Sequence, residues 1–160
     1  MGTAVGVLVV GDFEAGLPNA YLLSGSTWAP LPLSNYAHTS PGCALVTVRN
    51  RTGVLVISGS FVEIFYLSER QWVKLPSPAV KRQRDIKPTV GMSRGGQVVI
   101  AGGFDLERGE VSDVIEVLEE EEGRWTISDN RLAGKRLRQA DIVLPVKYAH
   151  NCYYNIDCRI

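Results

Sequence analysis

A short apolar run that begins with glycine and ends in small residues before phenylalanine occurs three times in the 160-residue chain. The copies are Gly6–Phe13 (GVLVVGDF), Gly53–Phe61 (GVLVISGSF) and Gly96–Phe104 (GQVVIAGGF). Each run is too short for a helix and suits a strand that is buried on both faces. The closing glycines Gly11, Gly59 and Gly102 stand 48 and 43 positions apart. A period in that range indicates a repeat architecture.

Three tryptophans extend each copy into a longer unit. A bulky residue stands seven positions before each of them: Tyr21 before Trp28, Phe65 before Trp72, and Leu118 before Trp125. Two positions earlier still, the residues are Asn19, Glu63 and Glu116. Further apolar segments follow the tryptophans at Cys43–Val48, Thr89–Ser93 and Ala140–Val146. Each unit therefore predicts up to four short strands, named a to d, in the chain order b-c-d, a-b-c-d, a-b-c-d, a.

These units predict an all-β fold. A four-stranded antiparallel meander cannot bury both of its faces alone, so consecutive units must stack face to face. A radial array of such sheets is a β-propeller. We expect blades near residues 6–32, 43–76 and 89–128, with an extra strand over 140–146. Because strands alternate in direction, the b–c and d–a loops share one rim of the array, and the a–b and c–d turns share the other.

The units resemble kelch repeats, in which a hydrophobic strand ends in a double glycine and an aromatic residue precedes a tryptophan. Gly102 and Gly103 match the double glycine, and Gly11 and Gly59 keep only its first residue. Leu118 replaces the aromatic residue of the third unit. The expected structural residues of the repeat are these four glycines together with Trp28, Trp72 and Trp125. Their regular spacing places each tryptophan in the core of a blade interface.

The resemblance implies an incomplete kelch-type β-propeller over residues 1–146, because such propellers usually close with about six blades. The tail, 147–160, departs from the repeat, and we expect it to be non-native or frayed. The sequence is compatible both with a truncated gene product and with a short natural protein. Two copies would supply a full ring if strand 140–146 of each completed the first blade of the other, so a homodimer is one expected assembly.

Charge and hydropathy narrow the range of partners. Seventeen basic and seventeen acidic residues cancel, so no net field attracts nucleic acid or an anionic membrane. The longest apolar run, Ala4–Val10, is far shorter than a membrane span. The cysteines Cys43, Cys152 and Cys158 are odd in number and widely separated, which favours free thiols in a reducing compartment. We therefore expect a cytoplasmic protein that binds neither nucleic acid nor membrane.

Candidate binding residues lie in the long loops, since recognition concentrates in loops on a rigid scaffold. The d–a loops over 76–88 and 129–139 are basic, and the b–c loop over 105–112 is expected beside them. An acidic peptide held by arginine side chains is the partner that this charge favours. The candidate contact residues are Tyr36, His38, Arg82, Arg84, Arg108, Arg136 and Arg138. The alternative is a solvated rim whose charges serve solubility.

No cofactor, metal site or catalytic group is predicted. Glu119–Glu122 fits a solvated hairpin tip better than a metal site. His38 lacks the acid partner and the sequence context of a catalytic base. The spacing of His150, Cys152 and Cys158 matches no zinc pattern.

The kelch resemblance implies a protein-interaction module. In the family, such propellers often serve as substrate receptors of cullin-type ubiquitin ligases, beside a BTB domain that this sequence does not contain. A structural scaffold, such as an actin cross-linker, fits the sequence equally well. An enzyme similar to galactose oxidase or a sialic acid epimerase is less well supported, because copper would need several Tyr and His ligands and the chain has two histidines.

Overall fold

The computed structural model describes residues 7–10, 20–84, 86–93, 95–120 and 123–135, and all structural statements concern these residues. No helix among them is long and apolar enough to cross a membrane. Several predicted features lie outside the described residues and stay predictions. They are the extra strand 140–146, the tail 147–160, and the residues Gly11, Asn19, Arg136, Arg138, His150, Cys152 and Cys158.

The described residues form three antiparallel meanders. Sheet one contains β1 (Val7–Val10), β2 (Ala20–Ser24) and β3 (Thr27–Pro30) in that order. Sheet two contains β4 (Gly42–Val48), β5 (Arg51–Ser58), β6 (Phe61–Tyr66) and β7 (Gln71–Leu75). Sheet three contains β8 (Thr89–Met92), β9 (Val98–Ala101), β12 (Val114–Glu119) and β13 (Arg124–Arg131). The all-β prediction and the strand order b-c-d, a-b-c-d, a-b-c-d are confirmed.

A short ribbon interrupts sheet three between its second and third strands. Its strands are β10 (Phe104–Asp105) and β11 (Glu110–Val111). The sequence predicts only a loop over 105–112, so the ribbon is an addition to the prediction. Its first strand also bridges to Arg82 in the loop between β7 and β8.

Residues with positive φ make the turns between strands. Arg49 and Asn50, with φ of 48° and 59°, form a two-residue hairpin loop between β4 and β5. Two consecutive positive φ angles are what a type I′ hairpin requires, and asparagine tolerates that conformation well. Gly59, with φ of 63°, turns the chain between β5 and β6.

The three sheets stack in chain order, with sheet two in the middle. One apolar cluster joins sheets one and two and includes Ala20, Val56, Phe65 and Trp72. A larger cluster joins sheets two and three and includes residues such as Ile57 and Ile100. Sheet two is therefore covered on both faces. This explains why β5 is a continuous apolar run rather than an alternating one.

The strand pairing corrects the predicted register of sheet one. Trp72 lies opposite Phe65 and Trp125 lies opposite Leu118, as their seven-residue spacing suggests. Trp28, however, lies opposite Leu23 rather than Tyr21. The reason is the turn: β2 and β3 are joined by the two-residue hairpin Gly25-Ser26, whereas β6 and β7 are joined by the four residues 67–70. Constant sequence spacing therefore does not mean constant pairing.

Candidate protein-binding rim

Two buried glutamates dominate the rim formed by the b–c and d–a loops, here called the loop rim. Glu63 on β6 is fully buried and accepts hydrogen bonds from the loop between β3 and β4. Its donors are the backbone N and Nδ2 of Asn35, at 3.0 and 2.8 Å, the backbone N of Tyr36 at 3.4 Å, and Nε2 of His38 at 2.6 Å. Burial raises the pKa of the Glu63 carboxyl, but the hydrogen bonds from His38 and Asn35 outweigh it and hold that pKa below its usual value.

Glu116 on β12 repeats this arrangement one sheet further along. It is fully buried and accepts hydrogen bonds from the backbone N of Ala79 at 2.6 Å and of Val80 at 3.2 Å. The guanidinium of Arg82 forms a salt bridge with its second oxygen. Arg82 Nε also donates to the carbonyl of Gly102 at 2.9 Å. A charge that deep in the protein is stable only when paired and hydrogen-bonded in this way.

The two pairs occupy equivalent positions of the repeat. His38 and Arg82 each follow the tryptophan of their own unit by ten positions, and each reaches the glutamate of the next sheet. We call His38–Glu63 the first buried pair and Arg82–Glu116 the second buried pair. Both basic residues were predicted to contact a partner, and this is wrong: His38 is 0% exposed and Arg82 is 1% exposed. They join neighbouring sheets instead.

The tryptophans follow a second cross-sheet rule. The indole Nε1 of Trp72 donates to the carbonyl of Pro32 at 2.8 Å, and Nε1 of Trp125 donates to that of Pro76 at 2.8 Å. Both indoles are buried at the interface with the preceding sheet. Trp28 does not fit the prediction that each tryptophan lies in the core, because 49% of it is exposed. No sheet among the described residues precedes sheet one and covers this face.

Arg108 of the predicted contact residues, and two lysines of the basic loops, are paired with carboxylates within the loop rim. The structure brings the loop over 76–88 against the ribbon, where Lys81 Nζ lies 2.7 Å from Glu107 Oε1. Arg108 Nε lies 3.7 Å from Asp105 Oδ2. Lys135 forms a salt bridge with Glu110. The predicted neighbourhood of these loops is therefore observed, but their charges largely neutralise one another.

A surface group of side chains remains, here called the aromatic patch: the exposed Phe61, Lys74 and Arg84, and the half-buried Tyr36. The rings of Tyr36 and Phe61 lie 4.9 Å apart between centroids. Lys74 Nζ lies 5.0 Å from the centre of the Tyr36 ring, and the Arg84 guanidinium carbon lies 5.0 Å from that of Phe61. Arg84 also donates to the carbonyl of Ala37. Of the predicted contact residues, the structure brings Tyr36 and Arg84 together here.

Sequence reasoning missed Phe61 and Lys74 as surface residues. Phe61 is recognisable as part of the repeated motif, which suggests a structural role, yet 38% of it is exposed. It begins β6 directly after the tight turn at Gly59, so its ring projects at the loop rim. Lys74 lies on β7 opposite Glu63, and nothing local in the sequence connects it with Tyr36.

The opposite rim contains a cavity of about 280 Å³ between sheets two and three. Its walls include Val48, Tyr66 and Leu118, with Arg51 stacked 3.6 Å above the Tyr66 ring. Arg51 Nε also lies 3.0 Å from Glu69 Oε1. Within the described ranges, no group of three or more His, Cys, Asp or Glu residues could hold a metal ion.

Fold and rim together define an all-β protein built from stacked antiparallel meanders that are tied by buried cross-sheet pairs. No family model matches the chain, and no curated protein matches it. Among solved structures, a fungal alcohol oxidase of the AA5 family in complex with copper is similar, with a TM-score of 0.56 and 14% sequence identity. The match covers 77% of this chain and 28% of the oxidase chain. At this identity the likeness concerns the fold alone.

Proposed function

We propose that the chain is a kelch-type propeller segment that acts in the cytoplasm as a protein-interaction module, and that it binds an acidic peptide segment of its partner at the aromatic patch. The observation that carries this proposal is the exposed contact of two rings with two cations. Within the described part of the chain, neither Lys74 nor Arg84 has a carboxylate at salt-bridge distance. The neighbouring cations Lys81, Arg82, Arg108 and Lys135 all have one.

The chemistry of the aromatic patch suits such a ligand. Aromatic residues and arginine are the side chains that carry most binding energy at protein interfaces. A guanidinium held over a ring keeps its donors directed outward, where they can form paired hydrogen bonds with a carboxylate. Tyr36 and Phe61 offer apolar surface beside these charges. A peptide that combines acidic and apolar side chains therefore complements the patch. If the chain is the substrate-recognition part of a ubiquitin-ligase adaptor, this peptide is a segment of the substrate.

Selection from a random linear peptide library on the immobilised protein tests this proposal. We expect the selected peptides to be enriched in Asp and Glu and to bind more weakly as the salt concentration rises. Arg84→Ala and Phe61→Ala should each weaken binding of the selected peptide by about tenfold. Fluorescence anisotropy of the labelled peptide measures the change.

A matched control is Arg70→Gly, which removes one positive charge from the exposed turn between β6 and β7 on the opposite rim. Glycine suits the φ of 53° at that position. This variant should bind the peptide as the parent does. Selected peptides without acidic residues, or equal binding by Arg84→Ala and the parent at equal melting temperature, would contradict the proposal.

A further inference from the structure

The hydrogen bonds of the tryptophans show what covers the tryptophan-bearing face of a sheet. In both observed interfaces, the indole of one sheet donates to the carbonyl of a proline in the preceding sheet. That proline stands four positions after the tryptophan of its own sheet, as Pro32 follows Trp28 and Pro76 follows Trp72. Trp72 and Trp125 are only 7% and 6% exposed as a result. The geometry of the donor and its acceptor is therefore repeated from one interface to the next.

Sheet one presents the same indole, but no described sheet covers it, and 49% of Trp28 is exposed. Trp28 lies opposite Leu23, as Trp72 lies opposite Phe65. Since Leu22 packs against sheet two, the adjacent Leu23 and its partner Trp28 face away from sheet two. Tyr21 and Leu23 on the same face are half-buried. Tyr21 stands two positions before Leu23, where Glu63 stands before Phe65 and Glu116 before Leu118. A hydroxyl thus takes the place of the buried carboxylate as the acceptor on this face.

Sheet three has the complementary groups on its outer side, the side away from sheet two, which no other described sheet covers. Val99 and Val117 are paired, alternate with core residues along their strands, and are only half-buried. Asp129 follows Trp125 by four positions, which is the place of the proline acceptor. Lys135 follows Trp125 by ten positions, the place of His38 and Arg82. Unlike those two residues, Lys135 is exposed and contacts Glu110 on the surface.

We propose that the outer face of sheet one binds the outer face of sheet three of a second copy of this chain. In this interface, Trp28 Nε1 donates to the backbone carbonyl of Asp129, and Lys135 donates to the hydroxyl of Tyr21. The described part of each chain has one face of each kind, so two such parts joined at both faces form a closed, two-fold symmetric ring of six sheets. The inference does not depend on the peptide site, because the aromatic patch is at the junction of sheets one and two.

Sedimentation equilibrium and acrylamide quenching test the proposal on the full chain. We expect a reversible dimer whose tryptophan fluorescence becomes harder to quench as the protein concentration rises, since Trp28 is the exposed indole of the three. Trp28→Ser should raise the dimer dissociation constant by at least about tenfold. Leu106→Ser, which changes another exposed apolar residue, on the ribbon, should leave the dissociation constant unchanged.

Lys135→Ala should weaken the dimer by a few-fold at most, because its partner is a neutral hydroxyl. Three results would overturn the proposal: a monomer at every concentration, a dimer with unchanged affinity in folded Trp28→Ser, or oligomers that lengthen without limit as concentration rises. If Trp28→Ser fails to fold, the quenching of the parent protein still decides whether the face that carries Trp28 is the dimer interface. A dimer in which Trp28 stays fully quenchable excludes this face.

Discussion

The interface between sheets one and two and the interface between sheets two and three follow one plan with different residues. Each contains a buried glutamate from the third strand of a unit, a basic side chain from the preceding loop, and an indole that donates to a proline carbonyl. Among the described residues, the first interface is built on a cluster of five buried apolar residues and the second on a cluster of twelve. The basic residue is His38 in the first and Arg82 in the second.

The difference shows which part of the plan the fold requires. The buried acceptor is the same in both interfaces, whereas its donors vary. Arginine keeps its charge at ordinary pH, so a full positive charge faces Glu116 in the second buried pair. Histidine can be neutral or charged, and Glu63 has the additional side-chain donor of Asn35. Backbone N–H groups donate to both carboxylates. The first interface has two side-chain donors to its carboxylate, whereas among the described residues the Arg82 guanidinium is the one side-chain donor to Glu116.

The largest effect is expected from removing that guanidinium. Arg82→Met keeps much of the side-chain volume but leaves Glu116 as an unpaired buried charge, which should lower the free energy of unfolding by about 3–5 kcal/mol. Urea denaturation followed by tryptophan fluorescence measures the loss. Arg131→Met, at an exposed arginine, should change stability by less than about 0.5 kcal/mol. Equal midpoints for the two variants would show that the second buried pair adds no stability.

A smaller loss is expected at the first interface. His38→Ala removes one donor, but Asn35 and Tyr36 still donate to Glu63, so the cost should be about 1–3 kcal/mol in the same measurement. His38→Gln restores an N–H donor and should recover part of the loss. A cost for His38→Ala as large as that for Arg82→Met would mean that the extra donors do not compensate.

The smallest effect concerns pH. The pKa of Glu63 is lower in the folded protein than its usual value of 4.5, so its contribution to stability is complete above that value. It is lost as the pH falls through the folded-state pKa. Glu63→Gln should therefore flatten the decline in stability of the parent protein below about pH 4.5. Denaturation series at several pH values check this, and parallel curves for parent and variant would contradict it.

The sequence predicts the strands well because each is a short apolar run closed by turn residues, and such signals are local. It also predicts which loops meet, since that follows from alternating strand direction. The buried pairs could not be predicted, because His38 and Glu63 are 25 positions apart and Arg82 and Glu116 are 34 positions apart. His38 and Arg82 both lie in polar loops, where exposure is the usual state. Their burial depends on the next sheet covering them.

The glycines show a second limit of prediction from sequence. Sequence spacing aligns Gly59 with Gly102, but Val56 pairs with Glu63 and Ile100 pairs with Glu116. Ser58 is therefore equivalent to Gly102, and Gly59 is equivalent to Gly103. A Cβ at Gly59 would lie 2.9 Å from the Arg82 carbonyl oxygen, and one at Gly103 would lie 3.3 Å from Arg82 Cδ. The shared requirement is close packing against the loop that carries Arg82, which sequence alignment alone does not show.

The ribbon between β9 and β12 has a consequence for how such a chain can change over evolutionary time. Val56 and Glu63 are seven positions apart, whereas the equivalent Ile100 and Glu116 are sixteen apart, so the ribbon adds nine residues. The buried pair forms in both cases. Lengthening a loop costs little free energy once its ends are fixed. This junction can therefore accept insertions without altering the interfaces between sheets, and new surface can diversify there while the interior stays under constraint.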